Sequence, residues 1–182
     1  MKKLIIAAFA VAAIAIAPKA NAQTKMVGGA AMYPTKNIVE NAVNSKDHTT
    51  LVAAVKAAGL VETLESVGPF TVFAPTNEAF DKLPEGTVAT LVKPENKTTL
   101  TKILTYHVVA GRLSAADLWA KVRAGNGKAE LTTVQGGKLM VMAQGKKLYL
   151  VDEKGGKSWI TIADVFQNNG VIHVINTVVM PN

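Results

Sequence analysis

Hydrophobic residues in the first half of the chain recur at helical spacing. Apolar positions three and four residues apart predict helices that begin at Thr35 and within 47–49, and a longer helix at about 95–106. Gly59 follows the last apolar position of the second helix, where a left-handed glycine commonly ends the element. A further helix is predicted to begin at Ser114.

The pattern changes to the alternation of strands after about residue 130. Short apolar runs are separated there by Gly-Gly, Gln-Gly and Asn-Asn-Gly turns, which predicts an antiparallel meander. The predicted strands cover 131–134, 139–143, 148–151, 159–166 and 171–180. Because helices come first along the chain and strands last, the pattern indicates an α+β fold and not alternating βαβ units.

One apolar run, Phe70–Ala74, interrupts the helical half. It has few polar side chains, which is typical of a strand that is covered on both faces. Pro75 then ends the strand because proline has no N–H for the ladder, and Thr76 or Asn77 can cap a following helix. The sequence therefore predicts a central strand that pairs with the late strands and leads directly into a helix.

Two segments and one residue pair resemble the fasciclin family (FAS1 domains). The run GPFTVFAPTNEAF at 68–80 is similar to the first signature box of that family, and GVIHVINTVVMP at 170–181 is similar to the second. Tyr106-His107 stands between them at the matching place. The resemblance implies a wedge of two small, mainly antiparallel sheets with several short helices packed along one side. It also implies structural roles for Thr71, Phe73, Pro75, Asn77, Phe80, His107 and His173.

The same resemblance implies candidate binding residues. In animal fasciclin domains an Asp-Ile pair before the second box, and the Tyr-His pair, are associated with integrin binding. The matching positions here are Asp164-Val165 and Tyr106-His107. Since valine departs from isoleucine at 165, the implied partner is a cell-surface or matrix protein or a glycan, and not an integrin in particular. We expect Asp164 to end a strand and face solvent, and Tyr106-His107 to serve the architecture more than a contact surface.

Composition limits the possible classes of protein. With 182 residues, 49% of them hydrophobic, the chain is long enough to bury one self-sufficient core. It contains no cysteine, which excludes disulfides, thiol catalysis, Fe–S clusters and thiolate zinc sites. We expect a single domain at 35–182, present as a monomer.

The first 22 residues have the pattern of a signal peptide. Two lysines precede an apolar stretch at 4–17, and Ala20-Asn21-Ala22 matches the small-x-small cleavage pattern. The apolar stretch is shorter than the ~20 residues of a membrane span, and no later segment is apolar enough for stable membrane insertion. We therefore expect a soluble, secreted or periplasmic protein that begins at Gln23.

Removal of this leader lowers the formal charge from +7 to +4, because it contains Lys2, Lys3 and Lys19 and no acidic residue. A mild positive excess with few aromatic residues is weak support for nucleic-acid binding, and we expect no nucleic-acid partner. The stretch 23–34 has two glycines and no periodicity. It predicts a flexible N-terminal arm without core residues.

The candidates for chemistry are few. His107 continues an apolar helical face and His173 lies within Val-Ile-His-Val-Ile, so we expect both rings to be buried and hydrogen-bonded. No cysteine and no suitably spaced carboxylate accompanies them, which disfavours a metal site. No serine lies in the glycine-flanked turn that exposes a catalytic serine. We expect no catalysis, no metal and no cofactor.

The main interpretation is an exported, non-catalytic adhesion or extracellular binding module. One alternative is a periplasmic binder of a small lipid or glycan; for a lipid, it requires a sizeable apolar cavity. A more distant alternative is an enzyme or metal-binding protein that uses His107 and His173.

Overall fold

The structure is a computed structural model that describes residues 23–182. Its helices are α1 (Ile38–Ala42), α2 (Thr49–Ala58), α3 (Val61–Glu65), α4 (Asn77–Asp81), α5 (Thr87–Leu91), α6 (Lys97–Tyr106) and α7 (Ala115–Ala124), with short 3₁₀ turns at Lys46–His48 and Pro94–Asn96. Its strands are β1 (Lys25–Val27), β2 (Ala30–Met32), β3 (Phe70–Pro75), β4 (Val108–Ala110), β5 (Lys128–Thr132), β6 (Lys138–Gln144), β7 (Lys147–Val151), β8 (Lys157–Gln167) and β9 (Gly170–Ile175). The predicted signal peptide lies outside the described residues, so its cleavage stays a prediction.

Seven strands form one strongly curved sheet. Their order is β4-β3-β9-β8-β7-β6-β5. Within it β3 and β9 run parallel, and the other neighbours are antiparallel. A bridge between Val109 of β4 and Thr133, just after β5, connects the two edge strands. The sheet is therefore nearly closed into a barrel.

The predicted α+β class is confirmed, and the prediction of two small, mainly antiparallel sheets is correct only in part: the structure has a two-stranded sheet and a larger sheet of seven strands. Strand β8 is eleven residues long. Its first part pairs with β7, and its longer second part pairs with β9 through two irregularities in register. Because one long strand belongs to both sets of strands, the two sets form a single sheet.

The prediction of a flexible arm without core residues at 23–34 also needs correction. Strands β1 and β2 form a hairpin whose turn is made by Gly28 and Gly29, both at positive φ (57° and 76°). Val27 and Met32 are buried against the helical side of the molecule. The two glycines marked a hairpin turn and not a flexible linker, and two short strands of three residues are too brief to show a period.

Side-chain caps fix the starts of the short helices. Asn37, and not Thr35, caps α1 by accepting from the Glu40 backbone N–H. Thr76 caps α4, as predicted, by accepting from Ala79. The neighbouring Asn77 instead accepts from the Thr50 N–H at 3.0 Å and donates to the Lys46 carbonyl at 2.8 Å, which holds the start of α2 against α4.

Two hydrophobic cores meet at strand β3. Val72 and Ala74 face the first core, which is formed with helices α1 to α6. Phe73 faces the second core, which lies between strands β5 to β7 and helix α7. The prediction that Phe70–Ala74 is covered on both faces is therefore confirmed.

In the part of the chain that the structure describes, 23–182, no helix has the length and hydropathy of a membrane-crossing segment.

Phe73→Ala should lower the free energy of unfolding by about 3–5 kcal/mol, because a fully buried ring leaves a cavity. Val67→Ala is the matched control: its side chain is 94% exposed, and its loss should cost less than about 0.5 kcal/mol. Urea denaturation of residues 23–182 measures both. Equal midpoints for the two variants would contradict the placement of Phe73.

Candidate functional site

Tyr106 ends α6 with its side chain fully buried. Its hydroxyl donates to the Lys138 carbonyl at 2.6 Å and accepts from the Glu153 N–H at 3.2 Å. Burial raises the pKa of Tyr106 to about 12, so the hydroxyl stays neutral at physiological pH. Tyr106 therefore fixes the start of β6 and the turn after β7 to helix α6.

His107 links the same helix to the end of the chain. Its Nδ1–H donates to the Ile103 carbonyl at 2.9 Å, and its Nε2 accepts from the Val179 N–H at 3.2 Å. Burial lowers the pKa of His107 to about 4, so the ring is neutral at pH 7. Since both nitrogens bond to the backbone, the ring has no lone pair left for a metal or a proton transfer.

His173 has the opposite arrangement in strand β9. Its Nε2–H donates to the Leu113 carbonyl at 2.8 Å, and its Nδ1 accepts from the Asp164 N–H at 3.3 Å. The ring stacks on Phe73 with centroids 5.7 Å apart, and burial lowers its pKa below the usual value. The prediction of buried, hydrogen-bonded histidines is confirmed for His107 and His173.

Asp164 is not at the end of a strand. It lies inside β8 at a bulge, with φ +57°, a left-handed conformation that few side chains tolerate. Its carboxylate accepts from the Ala115 N–H at 2.7 Å, at the first turn of α7. The expectation of a solvent-facing aspartate is therefore wrong: Asp164 is partly buried and holds the start of a helix.

Thr71 completes the attachment of α7. Its hydroxyl donates to the Gly111 carbonyl at 2.7 Å and accepts from the Leu113 N–H at 2.9 Å. Together with His173 and Asp164 it binds the segment 111–115 to the sheet. Side chains from both signature boxes thus determine where α7 lies.

Three of the four candidate binding residues lie in the interior. Tyr106, His107 and Val165 are at most 2% exposed. A partner at the surface of this fold touches none of their side chains. The structure brings Asp164 and His173 together at the paired strands β8 and β9, and it places Tyr106 and His107 at the end of helix α6.

A surface groove of about 600 Å³ lies beside α7. It opens where β7 and β8 part, because their pairing ends at Tyr149 and Trp159 and β8 then pairs with β9 from Ile160. The groove is lined by Ala115 and Trp119 of α7, by Lys146, Lys147 and Leu148, by Trp159, Ile160, Thr161 and Ala163 of β8, and by Asn176.

The lining of this α7–β8 groove includes two aromatic and two basic side chains. Both tryptophans of the chain line it, and each is partly exposed. Trp159 packs on Tyr149 with centroids 5.0 Å apart, and the Lys157 ammonium lies 5.6 Å from the Trp159 ring centroid. No aspartate or glutamate is among the residues that line the groove.

A second space lies in the first core, among α1, α2, α3 and β3. It is lined almost entirely by apolar side chains and measures about 80 Å³. Sites for small-molecule ligands commonly measure roughly 300–1,000 Å³. This cavity is too small for a lipid chain in the conformation described.

Within residues 23–182, no three His, Cys, Asp or Glu side chains are grouped so that they could hold a metal ion.

The groove was not predicted from the sequence. Its two tryptophans lie forty residues apart, in a helix and a strand that the chain pattern does not place together. The adjacent Lys146-Lys147 and the presence of two tryptophans in a chain with few aromatics were the available signals. Neither shows that β7 and β8 part at this point.

Comparison with known proteins shows the family. The chain matches the family model of the Fasciclin domain over residues 46–181, and it therefore belongs to the fasciclin domain family. It is 46% identical over 160 residues to Protein sll1483 of Synechocystis sp., covering 87% of this chain and 81% of that protein. It is 35% identical over 194 residues to Immunogenic protein MPB70 of Mycobacterium bovis, covering 96% of this chain and 92% of that protein.

A solved structure shows the same fold. The FAS1 domain pair of the insect cell adhesion molecule Fasciclin I superimposes with a TM-score of 0.70 at 18% identity. The match covers 79% of this chain and 50% of the other, so this chain spans half the length of that two-domain structure.

Asp164→Ala should lower the free energy of unfolding by about 1–2 kcal/mol. The change removes the acceptor for the Ala115 N–H and places alanine in a left-handed conformation. Asp164→Asn is the matched control, because asparagine keeps an acceptor and tolerates positive φ. It should lie within about 0.5 kcal/mol of the parent in urea denaturation. If Asp164→Ala and Asp164→Asn had the same free energy of unfolding, the capping role of Asp164 would be wrong.

Proposed function

We propose that this chain is an exported, monomeric binding module that attaches cells or their envelope material to a partner without catalysis, and that the α7–β8 groove is its contact surface. The observation that carries the proposal is the groove itself. It is an open depression of about 600 Å³, within the size range of ligand sites, and both partly exposed tryptophans of the chain line it.

The arrangement of the signature residues supports this role. Thr71, His173 and Asp164 hold the segment that leads into α7. Helix α7 supplies Ala115 and Trp119 to one wall of the groove. The residues that mark the family would then act on binding indirectly, by positioning α7, and not by touching the partner.

The catalytic or metal-binding alternative has less support. The ring nitrogens of His107 and His173 are all engaged with backbone groups. A metal ion takes the lone pair of one ring nitrogen, so it would have to displace the Val179 N–H from His107 or the Asp164 N–H from His173. Each buried group left unpaired costs about 1–3 kcal/mol.

The small-lipid alternative requires more apolar space than the 80 Å³ of the first core. A small glycan, by contrast, is compatible with the open α7–β8 groove.

The test is attachment. Beads coated with residues 23–182 should attach to cells of the producing organism, and beads coated with Trp119→Ala should attach several-fold less. Val43→Ala, an exposed apolar change outside the groove, should attach like the parent.

Thermal melting of each preparation confirms that attachment is compared between folded proteins. Equal attachment by parent and Trp119→Ala beads would contradict the groove as the contact surface. Absence of attachment by the parent would contradict the binding role.

A further inference from the structure

We propose that the α7–β8 groove binds an acidic polysaccharide, a chain of sugars that carry uronate carboxylates. This inference rests on the proposed function, since it names the class of ligand for the same surface.

Lysine side chains lie in the groove and beside it. Lys146 and Lys147 line it directly. The ammonium groups of Lys25 and Lys82 donate to the backbone carbonyls of Ala163 and Asn176, two residues of the groove wall. Lys157 lies 4.2 Å from the Tyr149 ring centroid, next to Trp159.

These positive charges are not neutralised by the protein. Among the described residues the structure shows one ion pair, Lys138 with Glu130, and neither residue lines the groove. No carboxylate lines it either. Concentrated charge of one sign in a depression raises the local concentration of an oppositely charged ligand. The complementary ligand is therefore an anion.

The tryptophans indicate a ligand with flat, weakly polar faces as well as charge. The C–H groups on one face of a pyranose ring pack against the face of an indole, whose π-system is negative. Trp119 and Trp159 both line the groove. Trp119 packs beside the second core, and Trp159 packs on Tyr149. The side-chain oxygen of Asn176 accepts from the backbone N–H of Trp159 at 2.9 Å. The Nδ2 of Asn176 has no partner in the described residues and can donate to a sugar hydroxyl.

The shape suits a chain more than a single small anion. The groove is open and its volume of about 600 Å³ exceeds what one carboxylate or phosphate group fills. Lys146 and Lys147 line the groove, and Lys25 and Lys82 reach the backbone of two of its residues, so successive carboxylates along a polymer can meet several ammonium groups. A uronate chain provides repeated charge and repeated ring faces at once.

The direct measurement is calorimetric titration of residues 23–182 with oligogalacturonate, a uronate chain, at low ionic strength. Neutral dextran oligomers of similar length are the control ligand, and a single-stranded oligonucleotide of matched charge is the alternative anion. We expect oligogalacturonate to bind, dextran not to bind, and the oligonucleotide to bind at least about tenfold more weakly.

Two double variants separate the groove from net charge. Lys146→Ala/Lys147→Ala should weaken oligogalacturonate binding about tenfold or more. The affinity of this variant should also depend less on salt, because it lacks two ammonium groups whose attraction for carboxylates salt screens. Lys93→Ala/Lys154→Ala removes the same charge from exposed positions outside the groove and should bind like the parent. Trp119→Ala should weaken binding while keeping the salt dependence.

The outcomes are distinct. Binding that is lost equally in both lysine double variants, or equal binding of the oligonucleotide, would overturn the polysaccharide site in favour of general attraction for anions. No binding of oligogalacturonate, with attachment of beads still dependent on Trp119, would overturn this inference and leave the proposed function standing. If oligogalacturonate did not bind and bead attachment did not depend on Trp119, both this inference and the proposed function would be overturned.

Discussion

The parallel pairing of β3 with β9 joins two segments that are about a hundred residues apart in the chain, from Phe70 opposite Gly170 to Pro75 opposite Ile175. Each strand is buried along nearly all of its length. The strands approach so closely that a Cβ on Gly170 would lie 2.3 Å from the Phe70 carbonyl oxygen. The two signature boxes are therefore one structural unit, and closing the long loop between them has to be offset by what they bury together.

Polar side chains on this unit then determine where the other elements lie. Thr71 of β3 and His173 of β9 bind the segment before α7 through its backbone. His107 binds the last residues of the chain to α6. These buried histidines bridge backbone groups only while they are neutral. The folded pKa of His107 is about 4, below the usual ~6.5, so the unfolded chain binds a proton on this ring more readily than the folded chain does. The contribution of His107 to stability is therefore lost as the pH falls from the unfolded pKa to the folded pKa.

The sequence was sufficient where local chemistry decides the structure. Gly59 is left-handed at φ 71° and ends α2, Thr76 caps α4, and the late strands pair in sequence order through their turns. Those features depend on a few neighbouring residues. The β1–β2 hairpin was missed because its strands are too short to show alternation, and its stability comes from Val27 and Met32 packing on distant helices.

The site was harder to predict for a related reason. Nothing near Asp164 in the chain indicates that its carboxylate accepts from Ala115, almost fifty residues earlier. The α7–β8 groove likewise depends on where β8 changes partners. The family pattern correctly identified residues that matter to the fold, but it could not show that Tyr106, His107 and Val165 are buried. Which surface a partner can reach is a property of the folded chain.

The central claim is that two of the buried histidines, His107 and His173, are neutral links between backbone groups and not ligands or acid–base groups. Long-range ¹⁵N–¹H NMR of the imidazole rings at pH 7 tests it directly. The account predicts two neutral rings in opposite tautomers, with the proton on Nδ1 in His107 and on Nε2 in His173. A doubly protonated ring, the same tautomer in both, or a change in either ring on addition of Zn²⁺ would contradict it.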